Sequence, residues 1–291
     1  MDRSETNHET SMVLAFPVCD RPPVLGAALP AQAAKRITEY PIPTPSSFPY
    51  YITIGPDRDL WFTEGAANKI GRLTPEEGFS EYPLPQSGGR APEDITTGAD
   101  GNLWFTEVLT NAIGRLTITG TLTEYRTPTP GSLPWQIAAG PDGNLWFTEF
   151  YANNIGRITT GGVITEYPIP TPSSYPRGIT VGPDGNLWFT EDIGGNIGRI
   201  TPQGAITEFS VPGRHQLLDG ITAGPDGNVW FTDYQRQLIG RFTTGGAVTE
   251  YALPSRGSNP TGITAGPDGR VWFTEILGNN IGALRPSAGA P

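Results

Sequence analysis

The sequence predicts an all-β fold, a β-propeller of four-stranded antiparallel blades, on three observations. The pentapeptide Leu-Trp-Phe-Thr-Glu at 60–64 returns at 103–107, 145–149 and 187–191, and slightly altered at 229–233 and 271–275. Its tryptophans stand at 61, 104, 146, 188, 230 and 272, a spacing of about 42 residues that fits one propeller blade. Gly-Pro-Asp-Gly or a close variant precedes each copy, and Pro and Gly recur too often for any long helix.

Within a unit the elements follow in order. Ile179-Thr180-Val181 is a short β-branched run stopped by Gly182-Pro183-Asp184-Gly185. There Pro pre-sets the first turn torsion and Gly takes the left-handed position, which makes a tight hairpin. Leu187 to Thr190 is a second strand and Ile197 to Ile200 a third; Pro202-Gln203-Gly204 then turns into a fourth, Ile206 to Phe209. Alternation along the second strand puts Leu187 and Phe189 on one face and Trp188 and Thr190 on the other. Both faces carry large apolar groups, as sheets stacked radially against neighbours require. The units number six. Arg36 to Pro41 reads as a fourth strand without predecessors, while the last unit, from Gly262 to Arg285, lacks a fourth strand. The N-terminal strand is therefore expected to close the final blade and remove an open edge. Residues 1–35 form a leader and 36–291 a single propeller domain.

Composition excludes several functions. A formal charge of −10 opposes nucleic acid and anionic membrane as partners, because both demand clustered cations. No apolar run reaches the roughly 18 residues that span a bilayer. One cysteine, Cys19, can build neither a disulfide framework nor a cysteine zinc site. In the leader, Pro23 to Leu29 followed by Ala31-Gln32-Ala33 has the look of an export signal, but Asp2, Glu5, Glu9 and Asp20 spoil its basic start. Cytoplasmic and exported locations both stay open.

Chemistry is sought where copying fails. The slot just before each first strand holds Tyr50, Glu93, Trp135, Arg177, Asp219 and Thr261 in turn. First strands of a propeller line the central channel, so these six are the expected lining of a site for a small-molecule or peptide ligand on a monomeric protein. A second series ends each second strand: Glu64, Glu107, Glu149, Glu191, Asp233 and Glu275. Eight residues later stands Arg72, Arg115, Arg157, Arg199 or Arg241, and the spacing predicts a repeated carboxylate–guanidinium pair across the hairpin. In the last unit Ala283 replaces Arg, which singles out Glu275 as a candidate metal ligand. His215, four residues before Asp219, is the one histidine of the repeats and a candidate proton acceptor; Asp219 is the other. A phosphate loop, a metal-spaced histidine pair and Gly-x-Ser-x-Gly are all missing from the sequence.

Units reading Gly-Ile-Thr-x-Gly-Pro-Asp-Gly-Asn-Leu-Trp-Phe-Thr-Glu, then Asn-x-Ile-Gly-Arg-Ile-Thr, then Ile-Thr-Glu-Tyr-Pro-Ile-Pro-Thr-Pro resemble the virginiamycin B lyases, or streptogramin lyases, from Arg36 to about Leu284. The resemblance implies a carbon–oxygen lyase that confers antibiotic resistance by linearising a cyclic depsipeptide without water. A base removes a proton α to a carbonyl, and Mg²⁺ polarises that carbonyl. It also implies seven blades, histidines in the slots of the last two, and a Glu just before the final slot. A second Glu is implied near the end of the last Trp-Phe strand. This chain has Asp219 and Thr261 in those slots and Asn259 before the second, and only Glu275 matches. The alternative is a noncatalytic propeller that binds a ligand or protein at the channel mouth.

Overall fold

The computed structural model describes residues 41–74, 77–85, 91–213, 217–266, 268–278 and 280–286. They form six antiparallel sheets at 49–83, 92–126, 134–168, 176–210, 218–252 and 260–284. Each runs as a meander; the first five have four strands and the sixth has three among the described residues. Adjacent sheets meet along their first strands, which places those strands innermost, so the chain is an all-β propeller. The expected closing strand at 36–40 lies outside the described residues, as does the leader.

Second strands are buried on both faces, as their composition demands. Residues Leu187 to Glu191 are fully enclosed, and the copies at 103–107, 145–149 and 229–233 match them. Each buried Trp packs against the isoleucine that opens the next sheet: Trp61 with Ile95, Trp104 with Ile137, Trp146 with Ile179, Trp188 with Ile221, and Trp230 with Ile263. On its other side each of these rings stacks on the fourth strand of its own sheet, as Trp146 does on Tyr167 with centroids 5.6 Å apart. The indole N–H donates to the Asp of the preceding turn, as from Trp146 to Asp142 at 3.0 Å. That bond fixes the ring and gives the Pro-Asp-Gly turn a second task beyond its torsions. In the third strand Gly156 lies under the ring of Phe147, where any Cβ would collide. The Ile-Gly-Arg motif is thereby explained.

The carboxylate–guanidinium pairing is corrected by the register. Glu149 stands opposite Asn154, and Arg157 stands opposite Trp146. Trp146 and Glu149 are three residues apart and so lie on opposite faces of the strand. Four of these arginines, Arg72, Arg115, Arg157 and Arg199, accordingly lie over the tryptophans, Arg157 at 5.7 Å from the Trp146 centroid. Arg241 pairs with the turn aspartate Asp226 at 2.6 Å and Arg72 with Asp59 at 2.6 Å, whereas Arg115 and Arg157 donate to the carbonyls of Thr160 and Pro202.

Candidate functional site

Every first strand begins with a bulge. In the third sheet Glu149 pairs with Pro134 and Phe147 with Ile137, so Trp135 and Gln136 together face the single residue Thr148. The same shift occurs at the start of all six first strands. The Thr hydroxyl binds the bulge on both sides. Thr148 Oγ1 accepts the Gln136 N–H at 3.1 Å and donates to the carbonyl of Arg177 in the next sheet at 2.7 Å. Thr63, Thr106, Thr190 and Thr232 donate in the same way to the carbonyls of Glu93, Trp135, Asp219 and Thr261. Slot residues are therefore held at one level of the channel by hydrogen bonds between sheets. Just before the slot proline, Phe48, Ala91, Leu133, Tyr175 and Asn259 all take positive φ between 45° and 55°. For such residues this conformation costs on the order of 1–3 kcal/mol, which the bend into the channel requires of each loop.

Arg177 is the hub. Its Nε lies 3.0 Å from Asp192 Oδ2 and its Nη1 3.5 Å from Asp219 Oδ1. Its guanidinium sits 5.5 Å from the Trp135 centroid and 5.6 Å from that of Phe150, within the range of a cation–π contact. Phe150 joins Tyr175 at 5.1 Å and Tyr151 at 5.2 Å, so an aromatic shelf extends outward from the slot. Burial pushes the Glu93 carboxyl up to about 8; Asp94 adds repulsion, Arg177 opposes it, and Asp219 adds more repulsion. Burial also raises Asp94 to about 7, against the backbone N–H groups of Ile137 and Ile95 that its carboxylate accepts. Asp192 is raised to about 6 by burial despite Arg177, and Asp219 is raised by burial too.

Tyr51 completes the inner ring. Gln136 Oε1 accepts the Ile179 N–H at 3.2 Å, so its Nε2 is the group that donates to the Tyr51 hydroxyl, at 2.7 Å. With an oxygen lone pair of Tyr51 so occupied, the phenol's own proton is free to be donated elsewhere in the channel. Burial first, then Asp94, Asp219 and Glu93, keep that phenol protonated.

The structure thus brings Glu93, Trp135, Arg177 and Asp219 together, and Tyr50 stands near them, its pKa raised by burial first and then by Glu93. Thr261 turns its hydroxyl to Thr274 Oγ1 at 2.9 Å. Glu275 is buried at the end of its strand, and His215 lies outside the described residues. Sequence reasoning missed Tyr51, Asp94 and Gln136, the second residues of each bulge, and Phe150 and Asp192, which follow the second strand. Part of the signal was available: the position after the second strand holds six different residues, as the slot does, whereas the second bulge position differs only in the first three units and is Gly178, Gly220 and Gly262 in the rest.

The magnesium implied by resemblance meets a poor donor set. Mg²⁺ wants near-octahedral oxygen ligands with carboxylates among them. Glu275 is only 6% exposed. Asn259 offers a neutral amide, and its backbone carbonyl accepts the Ile276 N–H at 3.1 Å. Among the described residues no three His, Cys, Asp or Glu side chains are placed to hold an ion. These residues do not fit the ion.

Comparison with known proteins narrows the class. A virginiamycin B lyase from Staphylococcus aureus is 46% identical, with a TM-score of 0.82, over 86% of this chain and 84% of that one. A catalytically inactive histidine-to-alanine form of the S. aureus lyase, solved with Quinupristin, is 45% identical over the same shares, with a TM-score of 0.82. A virginiamycin B lyase of Bordetella parapertussis is 40% identical over 55 residues, 19% of this chain, so the match spans only 18% of that relative's length. The sequence profile of the virginiamycin B lyase family matches residues 30–218 and 215–289. The chain belongs to the virginiamycin B lyase family.

Proposed function

We propose that the channel mouth binds a cyclic depsipeptide of the streptogramin B type and opens it by elimination across its ester. One observation carries the reading: a carboxyl raised to about 8, Glu93, lies within electrostatic reach of Arg177 in a mouth walled by Trp135 and Phe150. A base whose pKa lies near the working pH is well matched to abstracting a carbon-bound proton. The ionised Glu93 takes the proton from the carbon next to the one that bears the ester oxygen. The C–H pair becomes the new carbon–carbon double bond, the C–O bond breaks, and its electrons leave on the carboxylate, so no water is consumed. Arg177 and the Tyr51 hydroxyl supply positive charge and a donor for the oxygen that becomes more negative. The rim suits an apolar macrocycle: Phe48, Tyr50, Leu109, Tyr151, Ile193, Ile276 and Leu277 are all exposed there. Linearising the antibiotic would protect the producing cell.

Incubation with Quinupristin tests this. Elimination gives a ring-opened product of unchanged mass with a new unsaturated-amide absorbance, whereas hydrolysis gives one that is a water heavier. Glu93→Gln should abolish the product. If wild-type protein makes none over hours at micromolar concentration, the elimination fails. A second reading, noncatalytic binding, draws support from Thr261, whose hydroxyl is engaged with Thr274 in a slot that offers no imidazole. Saturable calorimetric binding without product would select it.

A further inference from the structure

In four sheets a buried carboxylate at the end of the second strand is repelled by another acid on the fourth strand: Glu64 by Glu81, Glu149 by Glu166, Glu191 by Glu208 and Asp233 by Glu250. Two of these sheets set a cation of their own beside the pair. In the first, Lys69 stands opposite Glu64, and its ammonium lies 2.7 Å from Glu81 Oε2 and 2.6 Å from the Thr44 hydroxyl. In the fifth, the Arg236 guanidinium reaches both Glu250 oxygens at 2.7 Å and lies 3.8 Å from Asp233 Oδ2. The third and fourth sheets differ. Asn154 and Asn196 take the place of Lys69, and the turns at 150–153 and 192–195 hold no basic residue. The frame around the acids is nevertheless kept. The N–H and hydroxyl of Thr129 donate to Glu166 at 2.9 and 2.7 Å, as those of Thr44 do to Glu81 at 3.1 and 2.8 Å. The Thr171 N–H likewise donates to Glu208 at 2.9 Å.

We propose that the Glu149–Glu166 and Glu191–Glu208 pairs are two Ca²⁺ sites, each taking the ion where Lys69 and Arg236 put a side-chain cation in the other sheets. The unmet atoms belong to the inner acid of each pair. Glu149 Oε2 accepts the Asn154 amide at 3.0 Å and Glu191 Oε2 that of Asn196 at 3.0 Å. Oε1 of each is enclosed without a hydrogen-bond partner, although both side chains are wholly buried. Buried ionised carboxylates are paired or coordinate metals. The outer acids, Glu166 and Glu208, are half-buried and leave the ion a way in from solvent. All the donors on offer are hard oxygens: two carboxylates, the hydroxyl of Thr129 or Thr171, and water for the remainder. Ca²⁺ accepts irregular shells of six to eight such ligands, whereas Mg²⁺ demands a near-ideal octahedron. Each pair carries two negative charges, which one divalent ion balances and a monovalent ion does not. With so few charged ligands the affinity belongs to the weak end of protein calcium sites, about 10⁻⁴–10⁻³ M.

Flow dialysis with radioactive calcium, on the full chain stripped by a chelator, counts the bound ions. One ion per pair is expected at millimolar Ca²⁺, with a raised Tm that KCl of equal ionic strength does not reproduce. Glu149→Gln and Glu191→Gln keep the shape of the side chain; each should remove one ion, and the double variant both. Asn154→Lys should also remove one, by supplying the ammonium that the first sheet already has. Lys69→Asn should add one. Circular dichroism confirms that each variant is folded before its ions are counted. Three results overturn the proposal: no calcium bound at millimolar concentration, an ion count that Glu149→Gln and Glu191→Gln leave unchanged, or an equal rise in Tm from KCl. A folded Lys69→Asn chain that binds no additional ion also overturns it, because the place of Lys69 would then not be a cation site.

Discussion

Replacing Glu149 by Gln should make the protein markedly less sensitive to alkali. Glu149 ends the second strand of the third sheet with no exposed surface. Burial raises its carboxyl to about 8, with the Glu166 carboxylate adding repulsion and Asn154 and Ser132 opposing. A carboxyl raised on folding binds more protons in the native state than in the unfolded one, so its contribution falls as pH climbs. That loss begins near its ordinary value of 4.5 and continues to about 8. Each pH unit in this window is worth about 1.4 kcal/mol, so ionisation at this one site costs about 3 kcal/mol between pH 5 and pH 8. Gln keeps the shape of the protonated acid and has no proton to lose. For a chain of this size the variant should gain about 6–12 °C in Tm over wild type on going from pH 5 to pH 8. Paired thermal melts by circular dichroism at the two pH values measure it. Glu64→Gln provides an internal comparison: Lys69 lies 2.7 Å from Glu81 in that sheet and opposes the rise at Glu64, so the gain should be smaller. A Tm difference between Glu149→Gln and wild type that is the same at both pH values, or smaller at pH 8, would refute the reasoning.

Three further outcomes are expected. Trp146→Ala should destabilise by roughly 3–5 kcal/mol as a buried aromatic truncation, whereas Trp135→Ala should weaken Quinupristin binding with far less effect on urea midpoints. Ile95→Ala should cost about 2–5 kcal/mol while Ile52→Ala, at the same place in the repeat, should be nearly neutral; equal losses would mean that the exposure of Ile52 is misassigned. Thr148→Val should cost about 1–3 kcal/mol through the unpaired Arg177 carbonyl, and chemical denaturation against Thr274→Val, which makes no such bond, provides the control.

The blade was legible because its signals are local. Turn residues, strand alternation and the repeat length each act within about 42 residues and all agree. The misread ion pairs came from treating a spacing of eight as direct opposition. The Glu149–Asn154 pairing fixes the hairpin, and it carries Arg157 past Glu149 to Trp146. The slot residues were legible as the places where copying stops. Their neighbours Tyr51, Asp94 and Gln136 were not, because simple alternation sends only one of two adjacent side chains into the channel, and the bulge sends both. Phe150 and Asp192 reach the same mouth from a different loop, a convergence that only the assembled ring displays.

The hydroxyl of Thr148 grips the next slot by its carbonyl oxygen, an atom every amino acid owns. A Trp, an Arg or an Asp is anchored equally well, so the frame takes no notice of which side chain it presents. Selection can rewrite the pore lettering one character at a time, and new ligand preferences can arise without any renegotiation of the scaffold.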